Sequence, residues 1–298
     1  MRTLCLGEAL VDMICERHVD GLADADGFVP HFGGATANVA LTAAHKVRGS
    51  AALAGGAGGD AWGPWLRDKL DGAGVDLTWF RLMEGHHTPV AFVAVDTEGD
   101  ARYQIYGDAI SMALEAVADR LPAAVQACDG VFFGSNTLVG ERERGLTRAA
   151  RDQALELGKP VLFDPNLRLH RWTSVARAAA EAIACVPGAL LVRCNREEAE
   201  ILTGERDPNA AANALVAAGA QLALVSLGPD GALLRGSVAA DVPGVPAQVL
   251  STVGAGDCLT GVVVARLTDS GYDPATIAAD LPEAVAEAAR ACERWGAV

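Results

Sequence analysis

The sequence predicts an α/β fold: a doubly wound, mostly parallel sheet with helices on both faces and a small β lid. Short apolar segments alternate with helical segments along most of the chain, which is the pattern of a parallel sheet. Hydrophobic residues make up 51% of the chain and aromatic residues 5%, with 33 glycines, which suits helices packed closely on a sheet. A hairpin signal in the first half interrupts this alternation and predicts the lid.

The first part of the chain combines sheet elements with the lid. Its predicted elements are strands at 4–6, 51–54, 90–96 and 102–106 and helices at 35–47 and 61–73. The last two strands flank Thr-Glu-Gly-Asp, a turn signal that makes them a hairpin. We expect one domain over 1–298, with segments near 13–32 and 88–108 forming the lid.

In the second part of the chain, predicted strands and helices alternate regularly. Its predicted elements are strands at 131–133, 161–163, 189–192 and 222–226, a β region at 231–242, and helices at 141–157, 173–184, 195–203, 208–218, 254–269 and 274–294. In the helix at 254–269, Leu259, Val262, Val263 and Leu267 recur at the spacing of one buried stripe.

Charge excludes some partners. The net charge is −14, from 38 acidic and 24 basic residues, and no cluster of Lys or Arg stands out. We therefore expect neither nucleic acid nor an anionic membrane as a partner. If a protein this acidic binds a phosphate-bearing ligand, it must neutralise the phosphates locally, through backbone N–H groups, a metal ion and a few basic side chains.

Cysteine usage and the ends of the chain indicate a cytoplasmic protein. The seven cysteines are odd in number and scattered, with no Cys-x-x-Cys spacing, so we expect reduced thiols rather than disulfides or a zinc site. The first residues do not resemble a signal peptide, and no apolar run approaches the ~20 residues of a membrane span.

Residues 251–261 read Ser-Thr-Val-Gly-Ala-Gly-Asp-Cys-Leu-Thr-Gly and carry the strongest chemical signal. A helix N-terminus attracts anions, and Gly254, Ala255 and Gly256 would let a phosphate approach its N–H groups. Asp257 stands beside them as a proton acceptor, so the segment fits phosphoryl transfer from ATP to an alcohol. Ordinary helix capping is the alternative, and the segment is not a Walker A loop because no Gly-Lys-Ser/Thr follows.

Other polar residues follow predicted strands or open the first helix. In open α/β sheets the ligand lies beyond the carboxyl ends of the strands, so these residues should meet at one edge. Each has a structural alternative as a turn or helix-cap residue, whereas their joint placement favours a binding site. They are Asp12, Gly33, Gly34, Asn38, Asp164, Asn166, Arg168, Asn195, Glu198, Ser226, Gly228 and Gly231.

These motifs resemble, in order and over nearly the whole chain, those of the ribokinase-like (PfkB-type) sugar kinases. The matching segments are Gly-Gly-Ala-Thr-Ala-Asn at 33–38, Gly-Gly-Asp-Ala-Trp-Gly at 58–63, Asn-Arg-Glu-Glu at 195–198, Ser-Leu-Gly-Pro-Asp-Gly at 226–231 and Thr-Val-Gly-Ala-Gly-Asp at 252–257. Asp-Pro-Asn-Leu-Arg at 164–168, with Trp172, is similar to the fructokinase and 2-keto-3-deoxygluconate kinase branch.

The resemblance implies roles for these residues. Asp257 would be the catalytic base, and Gly254, Ala255 and Gly256 would line the anion hole. Asp12, Gly33, Gly34, Asn38, Asp164, Asn166 and Arg168 would surround the sugar, while Asn195, Ser226, Gly228 and Gly231 would contact ATP. Glu198 would organise Mg2+ through water.

Departures from the family pattern bear on the cation and the substrate. Ser251 stands where the family usually has an Asp that helps form a monovalent-cation site, so we do not expect K+ activation. No Arg stands near Gly107, which favours a neutral ketohexose such as fructose over a sugar acid, although Arg102 and Arg168 keep the acid open. A nucleoside kinase, with Tyr103 or Tyr106 as a clamp for the base, and a non-catalytic binding protein are further alternatives. The lid hairpin could present an unpaired strand edge to a second subunit, which would make a homodimer through the lid.

Overall fold

The computed structural model of the chain describes residues 1–107 and 109–298. Its strands are β1 (Thr3–Leu6), β2 (Leu10–Ile14), β3 (Val29–Gly33), β4 (Ala51–Gly58), β5 (Phe80–Met83), β6 (Val90–Val95), β7 (Ala101–Tyr106), β8 (Gly130–Gly134), β9 (Val161–Asp164), β10 (Leu191–Asn195), β11 (Leu222–Ser226), β12 (Ala232–Gly236) and β13 (Ala240–Val242). Its helices are α1 (Ala35–Lys46), α2 (Trp62–Ala73), α3 (Ala109–Met112), α4 (Leu121–Ala127), α5 (Glu141–Glu156), α6 (Val175–Ile183), α7 (Arg196–Thr203), α8 (Pro208–Ala217), α9 (Ala255–Asp269) and α10 (Pro274–Ala291).

The large sheet is mostly parallel, which confirms the predicted fold class. Within the described residues it has nine strands in the order β13-β12-β11-β10-β9-β8-β1-β4-β5. Every pair from β11 to β5 is parallel, whereas β12 and β13 are antiparallel to their neighbours. The β region predicted at 231–242 is therefore two short strands that close one edge of the sheet.

The two faces of the sheet bury two separate apolar cores. Successive side chains of a strand point to opposite faces, so Cys5 packs in one core while Leu4 and Leu6 pack in the other. The core with Cys5 takes side chains from α1, α2, α9 and α10, and the second core takes them from α4 to α8. This arrangement is the doubly wound architecture predicted from the alternation.

The lid is a second sheet with the strand order β3-β2-β6-β7. A third apolar cluster beneath it includes Leu10, Val93, Ile110 and Val253, and so joins the lid to the loop before α9. The lid begins earlier than the predicted segment at 13–32, because β2 starts at Leu10. The predicted segment at 88–108 supplies β6 and β7, and its last residue, Asp108, lies outside the described residues.

The Gly-x-Asp-x-x-Gly segment at 58–63 ties the lid to the large sheet. The Asp60 carboxylate accepts hydrogen bonds from the backbone N–H of Thr88 at 2.8 Å and from its hydroxyl at 2.7 Å. A Cβ on Gly58 would lie 2.2 Å from the Thr88 nitrogen, so only glycine allows this approach. The segment thus fixes the point where the chain enters β6.

Several elements were not predicted as such. Strand β3 contains Pro30 and ends at Gly33, residues that weaken a strand signal, and the structure accommodates the proline because β3 is an edge strand. Strand β5 and helices α3 and α4 are short and lack a distinct period. Among the described residues, no helix combines the length and apolar character needed to cross a membrane.

Candidate active site

Polar residues gather at the carboxyl ends of five neighbouring strands. Ser226 and Asn195 end β11 and β10, and Asp164 ends β9. Asn136 follows β8, and Glu8 follows β1, which lies between β8 and β4 where the order of strands reverses. A crevice at such a switch point is where open α/β sheets bind ligands.

Asp257 lies in the first turn of α9, and two amides hold its carboxylate. The Asn38 amide donates a hydrogen bond to Oδ2 at 2.8 Å, and the Asn166 amide donates one to Oδ1 at 3.1 Å. Asn166 adopts the left-handed conformation with φ of 40°, which asparagine tolerates in a tight turn. In the described part of the chain, no cation lies within salt-bridge distance of Asp257, although the side chain is only 7% exposed.

Burial changes the protonation behaviour of Asp257. Desolvation raises its pKa to about 6, while the hydrogen bond from Asn38 and the charge of Arg168 oppose the shift. The carboxylate is therefore ionised at neutral pH, yet more basic than an ordinary aspartate. These are the properties that a general base requires.

The entry to α9 leaves backbone donors open. Gly254 has φ of 77°, and a Cβ there would lie 2.2 Å from the Cβ of Ala297, so the turn requires glycine. The N–H of Ala255 donates to the Thr252 carbonyl at 3.2 Å. Among the described hydrogen bonds, none is donated by the N–H of Gly256 or Asp257. The N–H of Gly254 likewise donates none of them, so Gly254 and Gly256, two of the three residues predicted to line the anion hole, have open donors.

A small pocket next to Asp257 lies under the lid. Its volume is about 40 Å3, and Asp12, Gly34, Asn38, Arg168, Gly254 and Asp257 line it together with Glu8, Leu10, Ala35, Ala91, Tyr103, Ile105, Asn136 and Val253. Asp12 lies on lid strand β2, shortly after β1, the first strand of the large sheet. The lid thus covers the Asp257 carboxylate.

Charged groups face each other across this pocket. Burial raises the pKa of Asp12 to about 7, and the nearby Asp257 carboxylate adds to the effect. The guanidinium of Arg168 lies 5.2 Å from the ring centre of Tyr103, a cation–π contact that holds it against the lid. Arg168 offsets part of the repulsion between the two carboxylates.

The glycine pair before α1 lets the lid approach the sheet. A Cβ on Gly33 would lie 2.3 Å from an Asp12 carboxylate oxygen, and one on Gly34 would lie 2.7 Å from the Glu8 carbonyl oxygen. Gly34 also has φ of 99°. Gly33 therefore keeps space for the Asp12 carboxylate, whereas Gly34 lets the chain pass close to the backbone of Glu8, Ala9 and Leu10 and lines the pocket itself.

Asp164 is directed away from the pocket, towards a buried ion pair. Its Oδ2 lies 3.2 Å from a guanidinium nitrogen of Arg193 and accepts a hydrogen bond from the Thr260 hydroxyl at 2.8 Å. Arg193 also donates to the Ser226 hydroxyl at 2.9 Å. This network joins the ends of β9, β10 and β11 to α9, so Asp164 orients the helix that carries Asp257.

A much larger cavity of about 640 Å3 lies on the other side of the α9 entry. Its polar lining includes Arg193, Ser226 and Thr252, the glycines Gly228, Gly231 and Gly256, and two acidic residues, Glu98 and Asp100. The rest of the lining is mainly apolar, with Val245, Pro246, Val249, Val285, Ala288, Ala289 and Cys292. The volume and the mainly apolar lining suit a nucleotide, with its phosphates near Gly256.

Asn195 and Glu198 form a capping box at the start of α7. The Asn195 side chain accepts from the Glu198 N–H at 2.8 Å, and the Glu198 carboxylate accepts from the N–H of Asn195 at 2.9 Å and of Leu167 at 2.6 Å. Neither residue lines the large cavity. Their contribution to nucleotide and metal binding, predicted from the sequence, would therefore be indirect.

The residues fit a magnesium ion that arrives with a nucleotide. Among the described residues, no group of three or more potential protein ligands is present. Mg2+ commonly uses substrate phosphates, waters and one or two carboxylates, so a full protein cage is unnecessary. Glu198 and the unpartnered Oδ1 of Asp164 are oxygen ligands of the required kind.

Sequence reasoning missed Arg193, Glu8 and Asn136. Arg193 is flanked by Val192 and Cys194 in a buried strand, and a charged residue in such a position is itself a signal. Glu8 follows the first strand and belongs to the same class of strand-end residues as Asp164. Asn136 follows Gly134-Ser135 and carries no distinct signal in the sequence.

A helix entry with open N–H donors, a buried carboxylate and two adjoining cavities fit a phosphotransferase that acts on an alcohol. A family model described as "pfkB family carbohydrate kinase" matches residues 2–294. The chain belongs to this family. It is therefore a carbohydrate kinase, which confirms the predicted enzyme class.

Known relatives agree with the fructokinase branch. The chain is 29% identical over 269 residues to probable fructokinase-6, chloroplastic, of Arabidopsis thaliana, covering 89% of this chain and 70% of that protein. It is 31% identical over 274 residues to fructokinase-1 of Zea mays, covering 91% and 83%.

Solved structures show the same architecture. A double-mutant fructokinase from Vibrio cholerae O395, in a form with fructose, ADP and potassium bound, superposes with a TM-score of 0.84 at 27% identity, covering 99% of this chain and 93% of that one. Aminoimidazole riboside kinase from Salmonella enterica, with aminoimidazole riboside and an ATP analogue, superposes with a TM-score of 0.81 at 25% identity, covering 100% and 95%.

Proposed function

We propose that this protein is an ATP-dependent fructokinase, which converts fructose and ATP into fructose 6-phosphate and ADP. The observation that carries the proposal is the position of Asp257. Its carboxylate lines the small pocket, while the neighbouring Gly256 lines the large cavity. A sugar hydroxyl and a terminal phosphoryl group could therefore meet at the entry to α9.

Proton transfer in this reaction comes late. A sugar hydroxyl is far too weak an acid to be deprotonated in advance by a carboxylate whose pKa is about 6. The hydroxyl becomes acidic only as its oxygen bonds to phosphorus, and Asp257 then takes the proton. Asn38 and Asn166 keep both carboxylate oxygens in place until that point.

Few groups of the protein are placed to neutralise the negative charge of the phosphates. The open N–H groups of Gly256 and Asp257 face the place where negative charge develops. Arg193 is the one basic side chain among the residues that line the nucleotide cavity, all of which the structure describes. Mg2+ would supply further neutralisation, and Glu198 would reach it through water.

The pocket favours a neutral sugar. Arg102 is exposed on β7, so it does not face the pocket and is no partner for a sugar carboxylate there. Arg168 does line the pocket, but it already lies among Tyr103, Asp12 and Asp257. Carboxylates accept hydrogen bonds and repel anions, so a polyhydroxylated neutral ligand matches better than 2-keto-3-deoxygluconate.

A riboside kinase is the second candidate, favoured by the structural likeness to the Salmonella enterica enzyme. Tyr103 lines the pocket and is available to contact a base, whereas Tyr106 is 58% exposed and packs on Phe92. The predicted clamp is thereby reduced to one aromatic residue. This leaves fructose as the better fit.

We also propose that the enzyme works without K+. Ser251 is buried, and its hydroxyl accepts a hydrogen bond from the Val253 N–H at 3.2 Å, so it supplies no negative charge for a cation. This would separate the chain from the potassium-bound Vibrio cholerae fructokinase.

The test of the proposed function is ADP release by the purified enzyme with Mg2+ and ATP. The panel of acceptors is fructose, ribose, tagatose, 2-keto-3-deoxygluconate and nucleosides. Fructose should give the highest kcat/KM. Preference for a nucleoside would establish the second candidate, and no release with any acceptor would favour a non-catalytic binding protein.

Dimerisation through the lid remains our proposal, as does a cytoplasmic location. Phe28, Phe92 and Tyr106 form edge-to-face pairs at 4.9 and 5.7 Å, and Val29 nearby is 41% exposed. This apolar surface fits a second copy of the chain. Sedimentation of the wild type and of Tyr106→Ser tests it, because the variant should shift the protein towards monomers.

A further inference from the structure

Glu8 is a buried carboxylate in the small pocket beside Asp257, which we call the sugar pocket. It has no role in the proposed phosphoryl transfer. It lies in the connection between β1 and β2, is 1% exposed and lines the same pocket as Asp257. Its Oε1 accepts a hydrogen bond from the Asn136 amide at 3.1 Å. Its Oε2 is buried and has no partner among the described residues.

The partner of Glu8 is itself held in one orientation. The Asn136 side-chain oxygen accepts a hydrogen bond from the Arg171 guanidinium at 2.8 Å, which directs the amide N–H groups towards Glu8. The chain Arg171–Asn136–Glu8 therefore fixes Oε1 and leaves Oε2 as the free acceptor. Such a supported side chain suits recognition, because little rotamer freedom is left to lose on binding.

An unpaired buried carboxylate oxygen is costly, so a ligand that supplies a donor gains affinity. Asp257 is already assigned to the hydroxyl that receives the phosphoryl group. A sugar with several hydroxyls has other donors to offer within the same pocket. In this pocket, Glu8 Oε2 is thus available to accept a hydrogen bond from a sugar hydroxyl other than the one that is phosphorylated.

We propose that Glu8 is a specificity-determining residue, whose Oε2 accepts a hydrogen bond from a non-reacting hydroxyl of the sugar, with Asn136 and Arg171 as positioning residues. The inference rests on the proposed function, since it takes the pocket to hold fructose. A sugar that lacks this hydroxyl leaves Oε2 without a partner and is rejected.

The experiment combines one variant with deoxygenated substrates. The kcat/KM of wild type and Glu8→Gln is measured with fructose and with its 1-, 3- and 4-deoxy analogues. The glutamine side chain can still accept from Asn136, but it presents an N–H donor where Oε2 was. With fructose, the variant should lose about 10- to 100-fold in kcat/KM, the range for a hydrogen bond to a charged group, with an unchanged KM for ATP.

The decisive readout is the coupling between variant and analogue. For one analogue, the wild type should lose a similar factor, while Glu8→Gln should treat that analogue and fructose almost alike. For the other analogues the two effects should multiply. Two results would overturn the proposal. If the losses in kcat/KM from the variant and from the analogue multiply for all three analogues, Glu8 acts through the structure alone. If Glu8→Gln has the kcat/KM of the wild type, Glu8 does not act at all.

Glu143→Gln is the matched control. Glu143 is also 1% exposed with two unpartnered oxygens, but it does not line the pocket. The Glu143→Gln enzyme should discriminate among the analogues to the same extent as the wild type. If Glu8→Gln does not fold, Asn136→Leu releases Glu8 and should weaken discrimination at the same hydroxyl; unchanged discrimination would contradict the proposal. A wild type that does not phosphorylate fructose would refute the proposed function instead.

Discussion

The two cavities beside α9 differ in size and in the groups that line them. The sugar pocket is about 40 Å3 and is lined by carboxylates, amides and an arginine that bond to one another. The nucleotide cavity is about 640 Å3 and is lined mainly by glycines, prolines and small apolar side chains, with Arg193 as its cation. Under the proposed function, side chains would recognise the sugar, whereas backbone groups and shape would recognise the nucleotide.

This difference predicts where single substitutions matter. A side chain that holds a charge in a small buried pocket cannot be replaced without leaving a partner unsatisfied. An apolar wall tolerates substitutions that conserve volume. We therefore expect the largest losses in the sugar pocket and at the boundary between the two cavities.

The largest effect should follow the removal of the base. Asp257→Ala should lower kcat by roughly three orders of magnitude or more, because both proton transfer and positioning are lost. Asp269→Asn, at the exposed opposite end of α9, is the control and should leave kcat unchanged. Turnover near the wild-type value in a folded Asp257→Ala protein would exclude Asp257 as the base.

The boundary between the cavities should be the next most sensitive place. Arg193→Met should reduce kcat/KM for ATP by about 10- to 100-fold, since a charged contact near the phosphates is lost. It should also lower Tm, because Asp164 is left buried without its partner. Adding Asp164→Asn should recover stability without recovering activity.

The control for this pair is Arg196→Met, which removes an exposed arginine from the adjacent helix. Its Tm and kcat/KM should match those of the wild type. Full activity in the double variant would show that Arg193 supports the structure alone and does not act on the phosphates.

The pH dependence should report on the sugar pocket. Desolvation raises the pKa of Asp257 to about 6, and protonation removes the base, so kcat/KM for fructose should fall about tenfold per pH unit below pH 6. Asp12, whose pKa is raised to about 7, titrates in the same pocket. The bend in the pH profile of kcat/KM therefore reports the titration of Asp12 and Asp257 together. A profile that stays flat down to pH 5 would contradict this account.

The smallest effect should come from the monovalent cation. Exchanging K+ for a large organic cation should change kcat less than about twofold, because Ser251 brings no charge to the loop before α9. Initial rates at constant ionic strength measure it. Strong activation by K+ would show that other groups form a cation site.

The sequence predicted the large sheet and the lid hairpin of β6 and β7 well, and the lid strands β2 and β3 poorly. Uninterrupted apolar strands between helices gave the order of elements from residue 130 onwards. The lid strands are harder to predict because Asp12 interrupts β2 and Pro30 interrupts β3, both for reasons that only the tertiary structure shows. Local patterns carry no information about a strand whose partner comes from a distant segment.

For the candidate site, too, local sequence patterns predicted some features and not others. Residues at strand ends and in glycine-rich turns were found from the sequence, and the structure brings Asp12, Asn38, Arg168 and Asp257 to one pocket. The contacts of a side chain were not predictable: Asp164, predicted to surround the sugar, pairs with Arg193, and Asn195, predicted to contact ATP, caps α7. Both assignments stay predictions.

A crystal structure with fructose and a non-hydrolysable ATP analogue tests the central claim most directly. The distance to measure joins the Asp257 carboxylate to the 6-hydroxyl of the sugar. We predict hydrogen-bond distance, about 2.6–3.2 Å, with the terminal phosphate facing the N–H of Gly256. A sugar bound with no hydroxyl near Asp257, or a terminal phosphate remote from Gly256, would contradict the account.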